Sequence, residues 1–229
     1  MSKVTKLQRD TKLTKQIAGS VREPNCAHSD SYPIPLDVSE RLSPVVLNIY
    51  SDGDFHRADM RSIAKEAGMS FNTIYRYFGD KESLLFWFIN DWFRELYPHA
   101  VAPLAECQSI KEGMRESLRR HFEFYERHPK VGRIVFLTVP LERWMRDATY
   151  HQHEVMQIFL KSISDGQVRN EVRSDISALS ILDAFAGMLN RTFVMWEYRR
   201  RKYSLIEKTE EIFSIIWGGI GSSPALVET

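Results

Sequence analysis

A chain of 229 residues with 43% hydrophobic and 12% aromatic residues can bury a packed core, and its length suits one large domain or two small ones. Its formal net charge of +1 singles out neither an acidic nor a basic partner. No apolar run reaches the roughly 18 residues of a membrane span, no secretory stretch opens the chain, and Cys26 and Cys107 form neither a disulfide framework nor a CxxC pattern, which points to the cytoplasm.

Residues 1–38 are polar, carry Pro24, Pro33 and Pro35 and lack a sustained apolar period, so they read as a flexible arm. Lys3, Lys6, Arg9, Lys12, Lys15 and Arg22 against Asp10 make that arm either a solvated tail or a DNA-contacting one. From Ser39 onward the pattern is helical. Leu42, Val45, Val46 and Ile49 form a first apolar stripe that ends at Asp52-Gly53. Asp59 is placed to cap a second helix with Met60, Ile63, Ala64 and Ala67 on one face, and Gly68 stops it. Ser70 caps a third helix through Phe78, Gly79-Asp80 breaks it, and a fourth runs from Lys81 to about Tyr97, ahead of Pro98.

Ser109 with Glu112 is a capping box for a helix that carries Ile110, Met114, Leu118, Phe122 and Tyr125 before Pro129. A short helix fills 130–139, a long one runs from Leu141 to Asp165 and stops at Gly166, and another runs from Asp175 to Arg201. Arg199 to Lys202 suit a helix C-terminus, and Ser204 with Glu207 caps a last helix ending at Gly218-Gly219. The expectation is an all-α chain of about nine helices, without strands or internal repeats.

The third helix poses a question. Only Phe71, Ile74 and Phe78 share a line, which leaves Asn72, Thr73, Tyr75, Arg76 and Tyr77 around the other faces of a segment too short to bury them. Residues 64–70, AKEAGMS, place a small-residue helix, a glycine turn and a newly capped helix in succession, the pattern of a helix-turn-helix. In that setting Asn can bond base edges, Tyr can offer its hydroxyl to base or phosphate, and Thr, Arg and Lys suit phosphate oxygens. Bulk charge adds nothing, since residues 39–85 hold six Lys/Arg against seven Asp/Glu.

The run IAKEAGMSFNTIYRYFGDKESLL, residues 63–85, resembles the DNA-binding signature of the TetR family of transcriptional regulators. The resemblance implies an all-helical homodimer: a helix-turn-helix domain over 39–80 that binds palindromic double-stranded operator DNA, a helical ligand-binding and dimerisation domain over 81–219, and a tail over 220–229. It implies a regulator, most simply a repressor, rather than an enzyme. The family's base contacts fall on Phe71, Asn72 and Tyr75, with Arg61 at the start of the second helix, and phosphate contacts on Thr73, Tyr77 and Lys81, with Ser70 and Arg76 beside them. Asn72 stands where a small residue is common and Phe71 where a polar one is. Phe71 either meets a thymine methyl or joins Ile74 and Phe78 in a core. The stretch from Gly53 to Arg57 is one residue longer than the family's usual turn.

No nucleophile, metal set or paired carboxylate stands at working spacing, and no cofactor is expected. In the helix from Leu141, Trp144, Ala148, His151, Val155 and Ile158 share a line, so His151 either faces a ligand or is satisfied in a core; His151 and His153 do not share a face. Asp183, Gly187, Asn190 and Arg191 sit amid Phe185, Met188, Leu189 and Phe193, where ligand contacts and dimer hydrogen bonds both fit. The candidate ligand set is Trp92, Phe122, Tyr125, Trp144, His151, Met188, Asn190 and Arg191, suited to a mostly apolar effector with a polar end. Dimerisation is expected on the last two long helices, where Leu182, Phe185, Leu189 and Trp196 lie beside Ile181, Met188 and Met195. The alternative is a DNA-binding scaffold that acts through a protein partner without a ligand.

Overall fold

A computed structural model describes residues 34–52, 55–56, 58–147 and 152–222. In chain order its helices are α1 Leu36–Ser51, α2 Met60–Glu66, α3 Phe71–Phe78, α4 Lys81–Val101, α5 Pro103–Glu106 and α6 Ile110–Arg127. There follow α7 Pro129–Arg133, a π-helical turn Ile134–Thr138, α8 Leu141–Arg146, α9 Gln152–Val168, α10 Ala178–Tyr198, a 3-10 turn Ile206–Lys208 and α11 Thr209–Ile220. Among the described residues the sole β pairing is an isolated bridge between Val172 and Gly221, so the fold is all-α. The basic arm and the tail after Ser222 lie outside the described residues, as do Cys26, Arg57 and His151.

The described chain forms two compact units, one of residues 34–95 with 128–147, the other of 96–127 with 152–222. This compactness does not follow the functional division expected after Asp80, because α7, the π turn and α8 return to the first unit. Beside buried Val131, Ile134, Val135 and Trp144, polar ties join them to α1 and α4: Arg133 Nε donates to the Ser51 carbonyl at 2.8 Å, Lys130 Nζ to Asn48 Oδ1 at 2.5 Å, and Arg143 pairs with Glu82. Two of these cations sit at the C-terminal end of α1, where the helix dipole favours them. Beneath, Leu42, Val46, Tyr50, Ile63, Ile74, Phe78 and Phe88 form the core of this unit, with the Phe78 and Phe88 rings stacked at 6.1 Å.

The second unit packs α6 with α10 and α11 around Met114, Leu118, Phe122, Ile163 and Phe193. Glu126 on α6 reaches across sequence to Ser204, accepting from its hydroxyl at 3.0 Å and from the amides of Leu205 and Ile206 at 2.7 and 3.2 Å. That carboxylate satisfies donors at the lead-in to α11 which the Ser204 hydroxyl alone leaves open.

Several boundaries differ from the sequence reading. Helix α1 begins at Leu36 rather than Ser39, and α4 passes through Pro98 to Val101. The expected helix from Leu141 to Asp165 is divided: Asp147, with ψ 142, is extended and ends α8. The line joining Trp144 to Val155 is therefore no helical stripe. Gly166 does not stop its helix, since α9 continues to Val168 and the turn is made by Asn170 at φ 58. Its lack of a side chain serves packing instead, because a Cβ there would stand 2.9 Å from Ile110 Cγ2.

Candidate nucleic-acid interface

Helix α2 is launched by Asp59, whose carboxylate accepts from the amides of Arg61 and Ser62 at 2.9 and 3.0 Å and from the Ser62 hydroxyl at 2.6 Å. Those bonds, the Ser62 hydroxyl's first, hold the Asp59 carboxyl below its ordinary pKa. At the other end Gly68 takes φ 60, a conformation that glycine adopts without strain. Ser70 then caps α3, accepting from the Thr73 amide at 3.0 Å, with the two hydroxyls 2.7 Å apart. Gly79 at φ 73 closes α3, and Asp80 Oδ1 accepts from the Ser83 amide at 2.8 Å to open α4.

Three side chains hold this hairpin, and two of them carry no local sequence signal. Arg41 on α1 donates to the carbonyls of Ala67 and Gly68 at 3.0 and 2.6 Å, covering the exposed end of α2. Tyr50 donates to the Lys81 carbonyl at 3.0 Å, and burial pushes its phenol pKa upward. Lys81 itself turns inward: its ammonium donates to the carbonyls of Phe55, His56 and Ala58 at 3.0, 3.2 and 3.1 Å and lies 4.7 Å from the Phe55 ring centroid. A lysine ammonium has three N–H donors. All three are spent on the turn before α2, which corrects the expectation of a phosphate-binding ammonium at Lys81.

What α3 presents outward is unlike a core. Ile74 and Phe78 are buried, but Phe71 is 37% exposed and Tyr75 53% exposed. Phe71 therefore does not join the core line. Its ring instead stacks on Tyr75 one turn later, with centroids 5.7 Å apart and planes 24° apart, and the Arg61 guanidinium lies 5.8 Å from the Phe71 centroid. Asn72 is exposed. Among the described residues no hydrogen bond or ion pair engages the side chains of Arg61, Asn72 or Tyr75. Arg76 lies over the Tyr77 ring at 5.0 Å and donates to its hydroxyl at 3.3 Å, so that pair acts as one cationic group beside the free array.

The expected effector residues fall in different units. Trp92 and Trp144 belong to the first, where the Trp92 indole donates to Ser43 Oγ at 3.4 Å and the buried Trp144 tilts against Phe93 at 6.0 Å. In the second, Phe122 and Tyr125 are buried, with Tyr125 5.4 Å from Phe193, while Met188 and Asn190 are half-buried and Arg191 is exposed. Sequence reasoning missed His121 on α6. Its Nδ1 lies 2.8 Å from the Ser117 carbonyl, and burial lowers its pKa to about 4, so it is neutral near pH 7.

An all-helical chain with a capped helix-turn-helix and an outward-facing polar aromatic array has the build of a helix-turn-helix transcriptional regulator. Residues 47–86, which span the end of α1 through the start of α4, match the model of bacterial regulatory proteins of the tetR family. The fatty acid metabolism regulator protein of Bacillus subtilis (strain 168) is 18% identical over 184 residues, covering 79% of this chain and 94% of that protein. The fatty acid degradation regulator FadR from Bacillus halodurans matches the fold with a TM-score of 0.71 at 16% identity, over 82% of this chain and 98% of that one. FadR from Bacillus subtilis, solved in complex with stearoyl-CoA, gives 0.67 at 17% identity over 79% and 98%.

Proposed function

We propose that this protein is a homodimeric repressor that binds palindromic operator DNA through α3 and is released by a small, mostly apolar effector with a polar end. The observation that carries the DNA half is the set of unengaged side chains Arg61, Asn72 and Tyr75, held on a hairpin whose Asp59, Ser62, Ser70 and Thr73 side chains bond within it. Base readout falls to Arg61, Phe71, Asn72 and Tyr75, and backbone contact to Ser70, Thr73, Arg76 and Tyr77.

Support for the dimer comes from α10 and α11. Ile181, Leu182, Phe185, Leu189 and Trp196 are buried within the protomer, so they are core rather than partner contacts. The outward face carries Leu179, Tyr198 and Ile215, and Gly187, Gly218 and Gly219 have open space where a Cβ would stand. Glycine inside a helix costs about 0.5–1 kcal/mol relative to alanine, and a facing helix would supply the reason for it.

The effector reading rests on the FadR likeness, one of whose structures holds stearoyl-CoA, and on the aromatic and methionine content around Tyr125, Phe193 and Met188. A long-chain acyl-CoA is the first probe. Helix α4 follows α3 directly through Gly79-Asp80 and runs unbroken to Val101, so a shift of α4 would move the recognition helix. An effector can act only through its differential affinity for two states, and the coupling is reciprocal. The test is selection of duplexes from a random library by the full chain, followed by calorimetric titration of stearoyl-CoA with and without the selected operator. Weaker acyl-CoA binding in the presence of operator is expected. Equal affinity in both titrations would remove the inducer role, and no enriched duplex would remove DNA binding.

A further inference from the structure

We infer that Arg61, Phe71 and Tyr75 form one reading unit, which recognises a guanine together with a thymine methyl on the neighbouring base pair of each half-site. This rests on the DNA-binding reading above and adds the base step to it. The Arg61 guanidinium donates no hydrogen bond among the described residues, yet it is not free to wander, because it lies over the Phe71 ring. Face-on attraction to a ring leaves the edge of a guanidinium, where its N–H groups point, available to acceptors. Guanine O6 and N7 are the major-groove acceptors that such an edge fits in a bidentate manner.

Phe71 brings no hydrogen-bonding group, and at 37% exposure it is not there to fill the core. It occupies the first turn of α3, the end of a recognition helix that meets base edges. The apolar feature of the major groove is the C5-methyl of thymine. Tyr75 stacks behind Phe71 and holds the ring against its own helix, which limits the freedom lost when a base arrives. The spacing then fixes adjacency: the guanidinium-to-ring distance of 5.8 Å is less than two base-pair rises of about 3.4 Å each. A guanidinium on one base pair therefore places the Phe71 ring beside the next.

The test starts from the operator selected by the full chain. Each thymine is replaced in turn by deoxyuridine, which removes only the methyl, and each guanine by 7-deazaguanine, which removes N7. One thymine per half-site should lose about three- to fourfold in affinity on losing its methyl, and the guanine beside it roughly tenfold on losing N7. In Phe71→Ala the deoxyuridine penalty should disappear, and in Arg61→Ala the 7-deazaguanine penalty should disappear. Both substitutions are at exposed positions, and unchanged melting temperatures with retained low-salt binding of bulk DNA check the fold. A selected motif without a guanine–thymine neighbour, no cost at any deoxyuridine, or a penalty that persists in Phe71→Ala overturns the inference while leaving DNA binding intact. Failure to enrich any duplex overturns both.

Discussion

Replacing Lys81 by methionine separates two roles that both predict weaker DNA binding. Methionine keeps the length and apolar stem but removes the ammonium, leaving the carbonyls of Phe55, His56 and Ala58 without their shared donor. Hydrogen bonds from a charged group contribute about 1.5–3 kcal/mol each where water is excluded. The site is half-buried, so water replaces part of this, and with a cation–π contribution of about 0.5–1 kcal/mol the loss comes to roughly 2–4 kcal/mol. For a protein of this size that corresponds to a fall in melting temperature of about 5–10 °C, readable by circular dichroism. DNA affinity should fall with it, because the turn that positions α2 and α3 is loosened. If Lys81 were instead a phosphate contact, stability would stand still and the slope of log K against log salt would shrink by about one. An unchanged melting curve with that smaller slope would refute the inward role.

Asn72→Ala should change the preferred base at specific positions by roughly 1–3 kcal/mol, whereas Arg76→Ala should weaken all sequences alike; an unaltered motif in a binding selection removes Asn72 from base readout. Gly166→Ala should destabilise by about 1–3 kcal/mol, because the new methyl meets Ile110 at 2.9 Å, and urea midpoints will register it. His121 adds a pH dependence: its folded pKa of about 4 lies below its ordinary value, so its contribution is complete above about pH 6.5 and is lost as pH falls toward 4. The slope is at most about 1.4 kcal/mol per pH unit, and His121→Gln should flatten it in urea titrations between those pH values.

The helix-turn-helix was legible because its signals are local. Asp59, Ser70, Gly68 and Gly79 each act within a few residues of their own position, and each performs the capping or turning expected of it. Arg41 and Lys81 were not legible in the same way, since their acceptors lie more than twenty residues away in sequence and a long cation looks alike whether it points in or out. Phe71 fell on the same periodic line as Ile74 and Phe78, but periodicity describes a helix face, not whether anything stands opposite it. At the first position of this short helix no core residue does, and Tyr75 and the Arg61 guanidinium supply the contacts. The division of the helix from Leu141 was hidden because Asp147 is an unremarkable residue in a helical pattern, with no glycine or proline to mark the extended conformation. His151, the polar centre of the expected effector site, lies outside the described residues.

Arg41 has a further consequence, for cooperativity. Because one guanidinium on α1 gathers the carbonyls of both Ala67 and Gly68, the turn cannot open while α1 stays folded without stranding that charge's two best acceptors. The turn and the first helix should therefore open in a single event, and the backbone amides of Gly68 and Met69, bonded to Lys65 and Ala64, should exchange with solvent deuterium at the rate of the α1 amides. Through Arg41 the turn that leads into α3 thus depends on α1 as well as on its own local bonds.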